Sequence, residues 1–252
     1  MLKTVGLTKV FAAAGGEKFT ALEDINLEFL PGSYNVIVGG NGSGKSTFLN
    51  LLAGSLKCET GKILLNDREI QKLPDFKRAE FISRIFQDPS AGTAPELTIA
   101  ENFRLAAIRN KTKGLKTGIN AGFKDRVRAS LKSLDLGLEE NPDKPVEQLS
   151  GGQRQAITLL MATLVKPDIL LMDEPTAALD PKSARLVMEL ADEIIRENNI
   201  TAFLVTHQMH EAVRFGDRLI QLHKGKVIRD MGVEEKSKQE PFEMMKWFQQ
   251  GY

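Results

Sequence analysis

Residues 39–47 read Gly-Gly-Asn-Gly-Ser-Gly-Lys-Ser-Thr and match the pattern G-x-x-x-x-G-K-[ST]. No other stretch restricts the possible folds so tightly, because the pattern needs a buried strand before it and a helix after it. Both are legible. Tyr34–Val38 (YNVIV) is a short apolar run of the kind found in a central strand covered on both faces. Lys45 to Ala53 reads as a helix, with Gly54 as its C-terminal cap. The glycines let the backbone bend until successive N–H groups converge on a phosphate. The helix start adds the positive end of its dipole. This reading assigns Gly39, Gly40, Asn41, Gly42, Ser43, Gly44, Lys45, Ser46 and Thr47 to a nucleotide cradle. Lys45 would reach the β- and γ-phosphates, and the Ser46 hydroxyl would ligate Mg²⁺. The pattern predicts a nucleotide binder without saying which kind.

The rest of the chain fits an α/β protein. Glu23 to Leu30 alternates polar and apolar residues before the Pro31-Gly32 turn, and Gly61 to Leu65 reads as a strand ending at Asn66-Asp67. From about Pro89 to Leu149 the pattern changes to helices joined by Gly- and Lys-rich loops, with helical spacing at Ala100 to Phe103 and Val127 to Leu138. Strands resume at Ile169 to Met172 and Thr201 to Val205. Between them Asp180 is a helix N-cap and Pro181 the first helical residue. A hairpin is expected around Lys224-Gly225 and a short helix in the tail. In 252 residues, 42% are apolar, which is enough for a sizeable core. The net charge of +1 argues against a polyelectrolyte binder. The single cysteine, Cys58, excludes an internal disulfide and a multi-cysteine zinc site. No apolar run approaches the roughly 20 residues of a membrane span, and the first residues lack a secretory core, so a cytoplasmic protein is expected.

Ile169-Leu170-Leu171-Met172-Asp173-Glu174 is a buried strand ending in two carboxylates. In an open parallel sheet, ligands gather at the C-terminal strand ends. Beside a phosphate loop, Asp173 is suited to hold Mg²⁺ and Glu174 to polarise the attacking water as a general base. Taken alone, the same residues read as a strand that ends in solvated acids.

Leu149-Ser150-Gly151-Gly152-Gln153 precedes that strand. Ser150 is an N-cap candidate, and the two glycines expose a second helix N-terminus suited to an anion. With LSGGQ following GxxGxGKST and preceding LLMDEPTAALD, the chain resembles the ATP-binding subunits of ATP-binding-cassette (ABC) transporters from about Leu2 to Met231. The resemblance implies one ATPase domain with a phosphate-loop NTPase core, a mixed or parallel sheet flanked by helices (1–87 and 164–232). It also implies an N-terminal antiparallel β subdomain, a helical subdomain (88–163) and a C-terminal tail (233–252). ATP and Mg²⁺ are the implied ligands. Gln87 matches the family's Q-loop, reaching Mg²⁺ and the attacking water, and His207 matches the switch histidine at the γ-phosphate. Ser150, Gly151, Gly152 and Gln153 would contact the ATP of a second subunit, and Asp180 would lie at that subunit contact. Phe11 matches the aromatic that stacks on adenine, where tyrosine is more usual. Phe19 is a second candidate, and Phe11 as plain core stays open. His210 and His223 read as surface residues.

The resemblance also implies partners: a second ATPase subunit, a separate transmembrane permease docked near Asp88 to Glu101, and a substrate-binding protein at the outer face. No nucleic acid is expected, and the subunit would sit peripherally at the cytoplasmic face. Pro145-Val146-Glu147-Gln148 stands where exporters often carry an acidic segment, which favours import. Gln87-Asp88-Pro89 with Gly92-Thr93-Ala94-Pro95 is similar to subunits of bacterial uptake systems whose permeases resemble branched-chain amino-acid carriers, some for amino acids. An export subunit, or a soluble ATPase of this family acting on nucleic acid or ribosomes, is the alternative. The latter usually has two fused cassettes or a long coiled coil. Arg104 to Arg128 holds eight basic residues against one acid, a loop facing anionic lipid or a permease, or simply a solvated one. Met244, Met245, Trp247 and Phe248 are expected to pack a tail helix on the core, or else to form an exposed patch.

Overall fold

A computed structural model of the chain describes residues 1–12, 16–109 and 118–249. Among the described residues ten strands form two sheets: β1 (Leu2–Ala12), β2 (Lys18–Phe29), β3 (Tyr34–Val38), β4 (Thr60–Leu65), β5 (Arg68–Glu69), β6 (Ile82–Ile85), β7 (Ile169–Asp173), β8 (Thr201–Val205), β9 (Arg218–His223) and β10 (Lys226–Met231). The central sheet has the order β10-β9-β3-β8-β7-β6, and only β10 runs antiparallel to its neighbour. The N-terminal sheet, β2-β1-β4-β5, is antiparallel throughout. The helices are α1 (Lys45–Ala53), α2 (Asp75–Arg78), α3 (Ile99–Ala107), α4 (Ala121–Lys132), α5 (Gly151–Thr163), α6 (Pro181–Glu197), α7 (Met209–Arg214), α8 (Val233–Lys236) and α9 (Pro241–Gln249). The architecture is a mixed sheet flanked by helices, an antiparallel N-terminal sheet, and helices α3 to α5 inserted between β6 and β7, the layout the resemblance implies.

The central strands bury both faces, with alternate residues serving two cores. Val36, Leu170, Met172, Ala202 and Leu204 pack with α3 to α7. Ile37, Leu171, Phe203 and Val205 pack with α1 and the N-terminal sheet. In the second core, Phe203 meets Phe29 edge-on at 4.7 Å between ring centroids, and Phe48 of α1 closes the cluster. Each such side chain contributes about 1.5–3 kcal/mol by leaving water. The helix that carries the phosphate loop is therefore bolted to the centre of the sheet.

Most sequence boundaries agree with the structure to within a residue or two, and the exceptions have local causes. The helical spacing from Val127 to Leu138 ends as α-helix at Lys132, because Asp135 (φ 51°) and Gly137 (φ 67°) turn left-handed, and Leu138–Glu140 resumes only as a 3₁₀ turn. Strand β2 begins at Lys18 rather than Glu23 and is broken in register near Asp24. In the tail, Met244 is buried and Trp247 packs against the core, whereas Met245 is 52% exposed. The side chain of Phe248 lies outside those described. Among the described residues no helix is long and apolar enough to cross a membrane.

Candidate functional site

The phosphate loop leaves the buried end of β3 and enters α1. Gly44 occupies the N-cap position with φ 103°, and a Cβ there would lie 2.5 Å from the Ala21 carbonyl, so only glycine fits. No side chain caps α1, so the N–H groups at its start have no side-chain partner. The hairpin Lys224-Gly225 steadies the loop through the Gly225 N–H, which donates to the Ser43 carbonyl at 3.1 Å. Gly40, Asn41, Gly42 and Ser46 are exposed at the rim, Thr47 is half-buried, and Gly39 and Ser43 are buried. Lys45 folds back, its Nζ donating to the carbonyls of Gly39 (2.8 Å) and Gly40 (3.0 Å). Burial lowers the Lys45 ammonium below the ordinary lysine value, while Glu174 and Asp173 pull it back up. The buried Ser43 hydroxyl has no partner. An unpaired hydroxyl, a buried ammonium and an uncapped helix end together fit a polyphosphate.

Parallel pairing of β6, β7, β8 and β3 brings four loops to one edge of the sheet. Gln87 follows β6 and is exposed. Asp173 ends β7 and accepts from Ser46 Oγ at 3.2 Å on one carboxylate oxygen and from the Arg84 guanidinium at 3.1 Å on the other. Glu174 takes a left-handed backbone (φ 48°), held by its N–H donating to Val205 at 2.9 Å, and such conformations cluster at functional sites. Its Oε2 lies 3.1 Å from Nδ1 of His207, which follows β8. Ser46 and Asp173 are hard oxygen donors, 3.2 Å apart. That donor set fits Mg²⁺, which keeps water and phosphate oxygens in most of its positions.

Ser150 caps α5 reciprocally. Its Oγ accepts from the Gln153 N–H at 3.2 Å, and the Gln153 side chain accepts from the Ser150 N–H at 3.1 Å. A Cβ at Gly152 would lie 2.4 Å from Ser183, so this helix start is pressed against α6. Asp180 caps α6 by accepting from the N–H groups of Lys182 and Ser183, and the Ser183 bonds hold its carboxyl below the usual range. Gly151 faces Leu179 of the same loop. Phe11 is half-buried rather than core, and it stacks on Phe19 at 5.4 Å, so the two aromatic candidates form one pair. Phe19 lies two residues before Ala21, which touches Gly44. His210 is exposed and His223 half-buried.

Four residues carry the site's architecture without standing out in the sequence. Arg84 holds Asp173. Buried Glu211 accepts from Thr176 (2.6 Å) and Thr206 (2.7 Å), tying the loop after Glu174 to the one before His207. Buried Gln155 donates to the Phe86 (3.0 Å) and Pro175 (2.8 Å) carbonyls and so joins α5 to two strand ends. Buried Asn102 donates to the carbonyls of Ala94, Leu97 and Thr98 and fixes the loop after Gln87. Within the basic stretch, Arg109 turns inward to Ser83 (2.9 Å), Arg104 and Arg126 lie over Phe123, and Lys124 and Arg128 pair with Asp143 and Asp125. Lys111, Lys113 and Lys116 lie outside the described residues.

Known proteins resemble this chain in sequence and fold. Residues 22–177 match the family model described as ABC transporter. The tyrosine transport ATP-binding protein of Clostridioides difficile (strain R20291) is 43% identical over 236 residues, 94% of each chain. The spermidine/putrescine import ATP-binding protein PotA of Haemophilus influenzae is 36% identical over 211 residues, 84% of this chain and 54% of that one. Among solved structures, the dimeric post-hydrolysis state of the ATP-binding cassette MJ0796 bound to ADP and Pi superposes with a TM-score of 0.79. It is 32% identical and covers 92% of this chain and 99% of that one. The chain thus belongs to the ABC transporter family, as an ATPase subunit that binds ATP.

Proposed function

We propose that the chain is the motor of a multi-subunit importer, a peripheral protein of the cytoplasmic membrane face that works a separate permease. A homodimer is the acting form. The phosphate loop of one copy and Ser150–Gln153 of the other enclose each ATP, in keeping with the dimeric, ADP-bound relative. A substrate-binding protein delivers cargo from outside without touching this subunit. The tyrosine transport relative, matched along 94% of both chains, supports an amino acid as that cargo, and a permease of the branched-chain amino-acid type rests on the resemblance carried by Gln87-Asp88-Pro89 and Gly92 to Pro95.

The observation that carries the catalytic reading is the Glu174–His207 pair, 3.1 Å apart, beside the phosphate loop. Gly39 to Thr47 hold the phosphates through backbone N–H groups, with Lys45 leaving its carbonyl partners for the β- and γ-phosphates. Ser46 and Asp173, with Gln87 after β6, would hold Mg²⁺, which would offset the charge of the terminal phosphates. Glu174 accepts the proton of a water whose oxygen bonds the γ-phosphorus as the bond to ADP breaks. His207 holds the Glu174 carboxylate and faces the γ-phosphate. Asp180 lies at the contact between copies, and the Phe11–Phe19 pair offers the adenine a ring face.

The permease docks on the groove beside the loop after Gln87, a cavity of about 540 Å³ lined by Phe86, Ala94, Leu105 and Arg109, with Leu105 half exposed. Replacing Glu174 with Gln tests the catalytic reading. Steady ATPase activity is expected to fall by about a hundredfold or more while ATP binding persists. Activity equal to the parent overturns the assignment.

A further inference from the structure

We infer that Arg84 is a positioning residue for the metal carboxylate, an inference that rests on the proposed placement of Mg²⁺ at Ser46 and Asp173. Arg84 stands on β6, and its guanidinium contacts three residues. One nitrogen donates to Asp173 Oδ2 at 3.1 Å. Another donates to the Asn50 side chain of α1 at 2.5 Å. Its plane lies over the Phe86 ring at 4.7 Å. The Arg84 and Asp173 side chains are only 16% and 14% exposed, so the pair is largely out of water.

The division of Asp173 is the informative feature. Ser46, itself a metal candidate, takes Oδ1, and Arg84 takes Oδ2. The terminal torsion of an aspartate is broad and two-fold, so an unheld carboxylate spreads over many orientations. A planar guanidinium anchored at its far side by Asn50 fixes that torsion and leaves Oδ1 directed at the phosphate-loop hydroxyl. Asn50 lies on the helix that begins at the phosphate loop, so the anchor is referenced to the loop that carries the metal's other ligand. Partners of this kind, one shell out from the metal, tune affinity as strongly as they tune ligand orientation.

Two effects of removing Arg84 oppose each other. Losing a cation beside the carboxylate favours a bound cation, and losing the fixed orientation disfavours it. The geometry assigns the larger share to orientation, and lysine separates the two, since it keeps the charge without the planar fork.

The test uses the non-hydrolysing Glu174→Gln protein and equilibrium ATP binding in excess Mg²⁺ and in EDTA. In Arg84→Lys and Arg84→Met alike, affinity in EDTA should stay within about twofold of the parent, while the gain on adding Mg²⁺ should shrink by about tenfold. Asn50→Ala, which changes no charge, should shrink the gain by a few fold and serves if the Arg84 variants do not fold. A Mg²⁺ gain retained by Arg84→Lys, enlarged in Arg84→Met, or unchanged in Asn50→Ala overturns the inference. A parent that shows no Mg²⁺ gain overturns instead the metal placement on which it rests.

Discussion

The chain carries two helix N-termini suited to phosphate, and they are built in opposite ways. Helix α1 starts at a left-handed glycine with no side-chain cap, next to a buried ammonium and an unpaired buried hydroxyl. Helix α5 starts at a complete capping box in which Ser150 and Gln153 satisfy each other. The first end leaves its donors open and keeps a charge out of water, an arrangement completed by a bound polyphosphate. The second is already content. It gains from an anion only through donors its cap does not use, and its nearby guanidinium, Arg154, is turned to the Val146, Glu147 and Leu149 carbonyls and the Ser90 hydroxyl. The difference fits the proposed division of labour, in which the α1 end would bind nucleotide in a lone subunit and the α5 end would add to binding only when a second copy presents it.

The strongest way to break this comparison is to block the second end alone. Ser150→Arg places a bulky cation where the terminal phosphate of the partner's ATP would sit. Turnover should fall by about a hundredfold or more, comparable to losing an oriented donor set at a developing charge, while nucleotide affinity of the monomer changes by less than about twofold. Equal losses of binding and turnover would show that both ends act within one chain.

Protonation gives a second handle, because the α1 end holds an ammonium that burial destabilises. Burial keeps Lys45 below its ordinary value of 10.5, and phosphate would raise it again. Between the two values the free protein has partly lost the proton that the ATP complex retains. ATP binding should therefore take up protons in that alkaline window, and affinity should fall as pH rises through it. Calorimetry in two buffers of different ionisation enthalpy measures the uptake. It should vanish in Lys45→Arg and persist in Ser150→Ala. Uptake that survives Lys45→Arg would assign it to another group.

How much of this was legible in the sequence follows the range of each interaction. The phosphate loop, the Asp180-Pro181 helix start, the Ser150 cap and the Lys224-Gly225 turn rest on bonds between residues a few positions apart. Their residue types state the geometry. Lys224 and Gly225, for example, both take positive φ, as a two-residue hairpin turn demands. The site's supporting residues do not announce themselves. Arg84 reads as one of two adjacent polar positions in a short apolar strand, and its partner Asp173 is 89 residues away. Glu211 lies on a short helix whose sequence gives no hint that it joins Thr176 to Thr206. Gln155 is a polar residue in an apolar helix, a buried-polar signal that the LSGGQ beside it overshadowed. The helix break at Asp135 depends on an aspartate in a left-handed turn, a conformation that composition does not mark.

The smallest expected effect sharpens the comparison from the stability side. Ser150→Ala deletes the capping oxygen and leaves the Gln153 N–H without its side-chain acceptor, so the folded chain should lose about 1 kcal/mol, measurable as a shift in the denaturant midpoint. The α1 end has no equivalent side chain to lose, since Gly44 caps with backbone alone. Added nucleotide should raise the midpoint of Ser150→Ala by as much as it raises the parent's, because ligand linkage depends on the α1 end, which the substitution leaves intact. A smaller rise in the variant would mean that the two helix ends communicate inside one subunit, and the division of labour would then be one of degree.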